Sequence, residues 1–188
     1  MDPDYKSSKA KSSVCRLWNT SDKRTIEETF NYPENQGEQK INQIKGGLIM
    51  SKENLVNSLN EDLAAELGTV IRYNYQAGKS YGLLGTELRE MFENEIKDEL
   101  GHARFLTDVI IDLDGEPVTT PKNFEKPDDL KNMLSLDLKM EEEDVKNYLK
   151  HSREAEELGY AELKMKLEEM AADEAGHARE LRRLLKGL

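Results

Sequence analysis

From Ser51 to the C-terminus the chain places apolar residues at alternating steps of three and four, the spacing that lines one face of an α-helix. The first stretch aligns Val56, Leu59, Leu63, Glu66, Val70, Tyr73 and Ala77 and predicts a helix over about 52–79, with Ser51 placed to cap it. The second predicts a helix over about 84–114, with Phe92, Glu95, Glu99, His102, Leu106, Val109 and Leu113 on its stripe. DGEPVTTPKNFEKPDD follows, and its three prolines predict a long connection rather than a helix. Asp128 or Asp129 can cap a third helix, to about 157, with Leu134, Leu138, Glu141, Val145, Tyr148, Ser152 and Ala155 aligned. The fourth, over about 160–186, aligns Leu163, Leu167, Met170, Glu174, His177, Leu181 and Leu184.

The helices repeat in pairs. DELGHAR at 98–104 returns as DEAGHAR at 173–179, six of seven letters unchanged, in a chain with only three histidines. The same 75-residue shift carries Asp62 onto Asp137, Leu63 onto Leu138, Glu66 onto Glu141, Val70 onto Val145 and Tyr73 onto Tyr148. In each pair a lone Glu precedes a Glu-x-x-His by 33 residues, and the midpoints fall at Gly82–Leu83 and just before Gly159, in helix-breaking sequence. Residues equidistant from the turn of an antiparallel hairpin lie side by side, here about 24 Å from the turn at ~1.5 Å per residue. The expected fold is therefore all-α: an antiparallel four-helix bundle of two repeated hairpins, with one long crossover between the second and third helices.

Glu66, Glu99, His102, Glu141, Glu174 and His177 all fall on the core stripes. Three residues apart on a helix is one face, so each Glu-x-x-His aims an oxygen and a nitrogen the same way. Four carboxylates facing a bundle interior would each cost several kcal/mol if left unpaired. The stripes contain no basic residue except histidine, so the expected partners are two divalent metals, which balance four carboxylates in charge while the two imidazoles complete the ligand sets.

Composition narrows the class. A chain of 188 residues has room for one domain with a substantial core, assigned here to 51–188. Residues 1–50 show no sustained period and are expected to form an N-terminal tail, disordered or loosely docked; Met50 would itself make a natural start. Residues 1–49 hold eight basic against seven acidic side chains, leaving 19 against 31 for the rest, so the acidity belongs to the helices. That sign argues against nucleic acid as a partner and favours cations. No apolar run approaches a membrane span, the start lacks the apolar core of a secretory signal, and the single Cys15 can form neither an internal disulfide nor a Cys-x-x-Cys knuckle. A cytoplasmic protein is expected.

With these residues in place the chain resembles the ferritin-like superfamily of di-iron carboxylate proteins, whose helices carry Glu, Glu-x-x-His, Glu and Glu-x-x-His in succession. The resemblance covers 51–187 and looks closest to the bacterioferritin type, through LNEDLAAEL around Glu66 and LDLKMEEEDVKNYL around Glu141, with rubrerythrin-like proteins as the second choice. It implies two iron ions, with manganese as the other candidate, and Glu99 and Glu174 as the bridging pair. It implies a ferroxidase that oxidises Fe(II) with dioxygen or hydrogen peroxide, for iron storage or detoxification, in a homo-oligomer of at least two chains. Where bacterioferritins carry a haem-binding Met this chain has Leu100, so no haem is expected. The chain ends just past the fourth helix, without the short fifth helix of cage-forming relatives, which puts a 24-subunit shell in doubt.

Around this set, Asp98 and Asp173 could each accept the free ring N–H of the histidine on the other hairpin. Tyr73 and Tyr148 lie two turns beyond the lone glutamates, where a phenol could hydrogen-bond a ligand or donate an electron, or could simply pack. Glu95 is expected to splay outward, although an access path for cations would also suit it. Gly101 and Gly176 suggest close helix approach. Arg104 and Arg179 read as surface residues, and His151 has no assigned role. Two alternatives to a ferroxidase remain: peroxide chemistry of the rubrerythrin or manganese-catalase kind, in which Asp144 would stand in for a further carboxylate, and a non-enzymatic bundle with a structural metal.

Overall fold

The computed structural model describes residues 50–188, so the tail expected over 1–50 lies, Met50 apart, outside the described residues. Four helices account for almost all of this region: α1 (Lys52–Lys79), α2 (Gly85–Asp112), α3 (Leu130–Glu157) and α4 (Ala161–Gly187). Ser51 caps α1 by accepting from Asn54 N at 3.2 Å, and Asp129 caps α3 by accepting from Asn132 N at 2.9 Å. The two hairpin turns pass through Gly82 and Gly159, whose φ angles of 85° and 83° are the left-handed conformation that glycine adopts without strain.

Contacts between helices give their directions. Asp62 meets His151, Glu66 meets Tyr148, Tyr73 meets Glu141 and Gln76 meets Asp137, so positions on α1 rise as those on α3 fall. The two helices are antiparallel. Each hairpin is antiparallel as well, so α3 runs in the same direction as α2, and residues 113–129 must return the chain along the bundle. This crossover is fastened to α1: Val118 N donates to Asn60 Oδ1 at 2.8 Å, and Lys122 N donates to the Ala64 carbonyl at 2.7 Å. Gly68 makes the second contact possible, because a Cβ there would lie 2.6 Å from the Lys122 carbonyl oxygen.

The core is apolar at both ends and polar between them. One cluster contains Leu55, Leu59, Leu63, Leu106, Ile110, Leu163 and Leu167, and the other contains Tyr73, Phe92, Leu134 and Leu181. The inward face of α1 and α3 is rotated slightly from the predicted stripe. Val56, Val70, Leu138 and Val145 are only half-buried, whereas Leu55, Asp62, Thr69, Gln76, Asp137 and His151 are buried. The valines suggested an apolar seam, but the bundle turns polar neighbours inward, where Asp62 pairs with His151 and Gln76 with Asp137. Among the described residues no helix is long and apolar enough to cross a membrane.

Candidate metal centre

The polar layer brings together all six residues singled out in the sequence. Glu66 from α1, Glu99 and His102 from α2, and Glu174 from α4 each offer one ligand atom, and these atoms lie within 4.8 Å of one another. Glu99, Glu141 of α3, Glu174 and His177 form a second such group. Glu99 and Glu174 belong to both. All four glutamates are at most 3% exposed.

The imidazoles have an inner and an outer nitrogen. His102 Nδ1 lies 2.9 Å from Glu174 Oε1 and 3.5 Å from Glu99 Oε2, while His177 Nδ1 lies 2.9 Å from Glu174 Oε2 and 3.7 Å from Glu99 Oε1. Both Nε2 atoms point away from the layer. His102 Nε2 faces Asp173 at 3.6 Å and His177 Nε2 faces Asp98 at 3.8 Å, which matches the expected pairing across hairpins but is too long for a hydrogen bond. Instead, Glu95 turns in and places Oε2 2.7 Å from His177 Nε2, correcting the expectation that it splays outward. Repulsion among acids would drive it out, but the imidazole draws it in as an ion pair, an approach that lacks the alignment of a hydrogen bond. Glu95, Asp98 and His177 form a third group of converging donor atoms, at the wall of a surface cavity of about 410 Å³ also lined by Asp173, Arg179 and Glu180.

Each tyrosine reaches a glutamate on the other hairpin: the Tyr73 hydroxyl donates to Glu141 Oε1, and the Tyr148 hydroxyl donates to Glu66 Oε1. Behind them lies a further set that the periodicity missed. His151 is buried with Nδ1 2.6 Å from Asp62 Oδ2, so it does have a role, as partner to a buried acid. At the matching place in the other half, Gln76 donates to Asp137 Oδ1 at 2.9 Å. Arg72, wholly buried, pairs through Nε with Asp137 at 3.0 Å and through Nη2 with Glu141 at 3.1 Å. A basic residue therefore does enter the core, contrary to expectation, but Asp137 neutralises it and four carboxylates still face the centre. The spacing 62, 66, 69, 73, 76 could have revealed Asp62 and Gln76, whereas Arg72 sits beside the seam and carried no such signal. Gly101 and Gly176 meet nothing where a Cβ would stand, so close helix approach does not explain them. Arg104 and Arg179 are exposed, as expected, and Leu100 is half-exposed.

Burial governs the electrostatics. It pushes the Glu66 and Glu99 carboxyls well above their ordinary value, with the Glu174 carboxylate adding to the effect on both and a contact from Glu66 limiting it on Glu99. Glu141 is raised by burial to about 7, Arg72 and His177 limiting the rise. Glu174 is the exception: burial would raise it, but the two imidazoles that flank it hold it down at about 2. His102 and His177 are raised in turn, since their carboxylate contacts outweigh the burial that disfavours their charged forms.

The donor set fits a pair of divalent cations. Glu66 Oε2, Glu99 Oε1, His102 Nδ1 and Glu174 Oε1 are buried without a hydrogen-bond partner, and the last two approach to 2.9 Å without the alignment of a hydrogen bond. Buried polar atoms left unpaired are costly, and these all converge on one point. Carboxylate oxygens with one imidazole nitrogen per group suit iron or manganese.

The sequence profile of the ferritin-like domain matches residues 56–188. The chain belongs to the ferritin-like family. Among solved structures, a ferritin-like di-iron carboxylate protein from Bacillus anthracis is 40% identical, with a TM-score of 0.71 over 73% of this chain and 99% of that one. BfrA from M. tuberculosis is 26% identical, with a TM-score of 0.66 over 71% of this chain and 83% of that one. Dps from Staphylococcus aureus shares the fold at 16% identity, with a TM-score of 0.68 over 73% of this chain and 98% of that one. No protein of curated function matches the chain. Bacterioferritins recur among its structural relatives, in line with the resemblance seen in the sequence.

Proposed function

We propose that the bundle binds two Fe(II) ions as substrate and catalyses their oxidation, as a step in iron storage or detoxification. Convergence of two overlapping four-residue donor groups, sharing Glu99 and Glu174, carries this reading. Glu66, Glu99, His102 and Glu174 would hold one ion and Glu99, Glu141, Glu174 and His177 the other, with Glu99 and Glu174 bridging. Iron supplies the redox chemistry: two Fe(II) each give one electron to dioxygen or hydrogen peroxide, and two protons complete reduction to peroxide or to water. The protein's own task is to hold the pair. Hard carboxylate oxygens favour the Fe(III) product, which gives the oxidation part of its driving force. Tyr73 and Tyr148 fix one oxygen each of Glu141 and Glu66, and the apolar clusters on either side keep bulk water from the layer. Electron donation by these tyrosines is part of the proposal.

Leu100 offers no sulfur to a haem iron, so no haem is included. Self-association into at least a dimer is proposed, with the exposed apolar side chains Ile71, Leu100 and Ile111 as available surface. One observation favours a second reading, in which hydrogen peroxide is the physiological substrate and manganese or iron the resident metal. Asp144, half-buried, lies one turn beyond Glu141, and burial together with Glu141 and Glu174 raises its carboxyl to about 8, so that a further acid feels the charge of the centre. Stopped-flow absorbance after air is admitted to anaerobically Fe(II)-loaded protein tests the ferroxidase. Oxidation faster than in buffer, and lost in Glu99→Ala/Glu174→Ala, is expected; an unchanged rate in that variant refutes it. Rapid oxygen release from peroxide by manganese-loaded protein would support the alternative.

A further inference from the structure

We infer that Arg72 makes the two cation positions unequal, so that the position at Glu66 and His102 fills before the position at Glu141 and His177. This rests on the two-metal reading above and deepens it. The 75-residue repeat builds the halves alike: Tyr148 on Glu66 mirrors Tyr73 on Glu141, and His151 on Asp62 mirrors Gln76 on Asp137. Arg72 breaks the match, because its counterpart in the repeat is Asn147, which is half-buried and makes no hydrogen bond to Glu66.

The consequence falls on one glutamate. Glu141 Oε1 accepts from both the Tyr73 hydroxyl and Arg72 Nη2, the latter at 3.1 Å, whereas Glu66 Oε1 accepts from Tyr148 alone and Glu66 Oε2 has no partner. Glu141 therefore has one oxygen to give, and a guanidinium draws charge from it. Glu66 gives a free oxygen from a carboxylate that no guanidinium touches; the imidazole near it, His102 at 3.8 Å, is matched on the other side by His177 at 3.8 Å from Glu141. The guanidinium cannot move away: it is wholly buried, anchored by Asp137 at 3.0 Å, held by Met140 Sδ at 2.7 Å and stacked 4.8 Å from the Tyr73 ring centre. A charge-assisted hydrogen bond of this kind corresponds to roughly tenfold to hundredfold in affinity.

The test is anaerobic titration of the metal-stripped full chain with Co(II), followed by heat and by visible absorbance. Mutual repulsion separates the steps for any cation pair, so the variants decide. Two steps of one ion each are expected, with Glu66→Gln removing the tight step and Glu141→Gln the weak one. Arg72→Gln/Asp137→Asn removes the guanidinium together with its buried counter-charge; it should tighten the second step about tenfold and leave the first in place. Arg72→Lys, which keeps the charge without the fork, should stay near wild type and serves if the double variant fails to fold. Loss of the weak step in Glu66→Gln overturns the inference, as does an unchanged second step in a folded Arg72→Gln/Asp137→Asn or a tightened one in Arg72→Lys. A wild-type chain that binds no Co(II) overturns the two-metal reading itself. Two ions bound alike, and unmoved by the variants, overturn this inference alone.

Discussion

Raising the pH should destabilise the metal-free bundle and increase the stabilisation that metal provides. The folded chain holds protons that the unfolded chain releases. Glu141 moves from 4.5 to about 7 on folding, so its contribution declines as pH rises across that interval, by about 3 kcal/mol at ~1.4 kcal/mol per unit. Glu66 and Glu99 are raised in the same sense. The histidines act in the same direction: their ion pairs stabilise the fold in full below 6.5, and that contribution fades as pH passes their raised folded values. Glu174 alone opposes this, with a contribution present above 4.5 and lost as pH falls toward about 2. The metal-free chain should therefore be most stable near pH 5. At roughly 3 °C per kcal/mol for a domain of this size, the Glu141 contribution alone corresponds to a Tm lower by about 10 °C at pH 8. Cations displace the same protons, so loading with Mn(II) should raise Tm more at pH 8 than at pH 5. Scanning calorimetry of chelator-treated and Mn(II)-loaded protein at both values measures this, with Glu141→Gln, which should flatten the metal-free slope, separating the site from general charge repulsion. A metal-free Tm that is flat or rising from pH 5 to 8, or the same slope in Glu141→Gln, would mean that the layer does not hold these protons.

Four substitutions probe the frame, each by urea denaturation of metal-free protein. Gly101→Ala adds a Cβ in open space within a helix and should stabilise by about 1 kcal/mol, whereas Gly68→Ala meets the Lys122 carbonyl oxygen at 2.6 Å and should destabilise by about 1–3 kcal/mol. His151→Leu leaves Asp62 buried without its partner and should cost about 3 kcal/mol at pH 8, but less at pH 5, because burial raises the Asp62 carboxyl and favours its protonation. Tyr148→Phe removes the donor to Glu66 Oε1 and should cost about 1–3 kcal/mol, more than the same change at Tyr73, whose acceptor keeps Arg72.

The helices and the six central residues were legible because each left a periodic trace. Apolar steps located the helices, and the repeat of Glu-x-x-His with a Glu 33 residues upstream located the layer, since both hairpins needed the same registration. The polar residues just beyond that layer were not legible, for a consistent physical reason. Arg72, Gln76, Asp137 and His151 look like solvent-facing residues until a partner on another helix is known. Val70 and Val145 therefore drew the seam one position away from its true line. Glu95 illustrates the same limit, because its inward turn depends on the second nitrogen of a histidine two helices away. Gly68 was silent because its function is to admit a crossover whose path no local pattern records.

The proposed function requires that one chain hold two cations between Glu66, Glu99, His102, Glu141, Glu174 and His177. Equilibrium dialysis of the metal-stripped chain against Fe(II) under anaerobic conditions, with iron and protein measured on the same sample, tests it directly. Two tightly bound ions per chain are expected, falling to at most one in Glu99→Ala/Glu174→Ala. One ion or none in the wild type, or two in that variant, would contradict it.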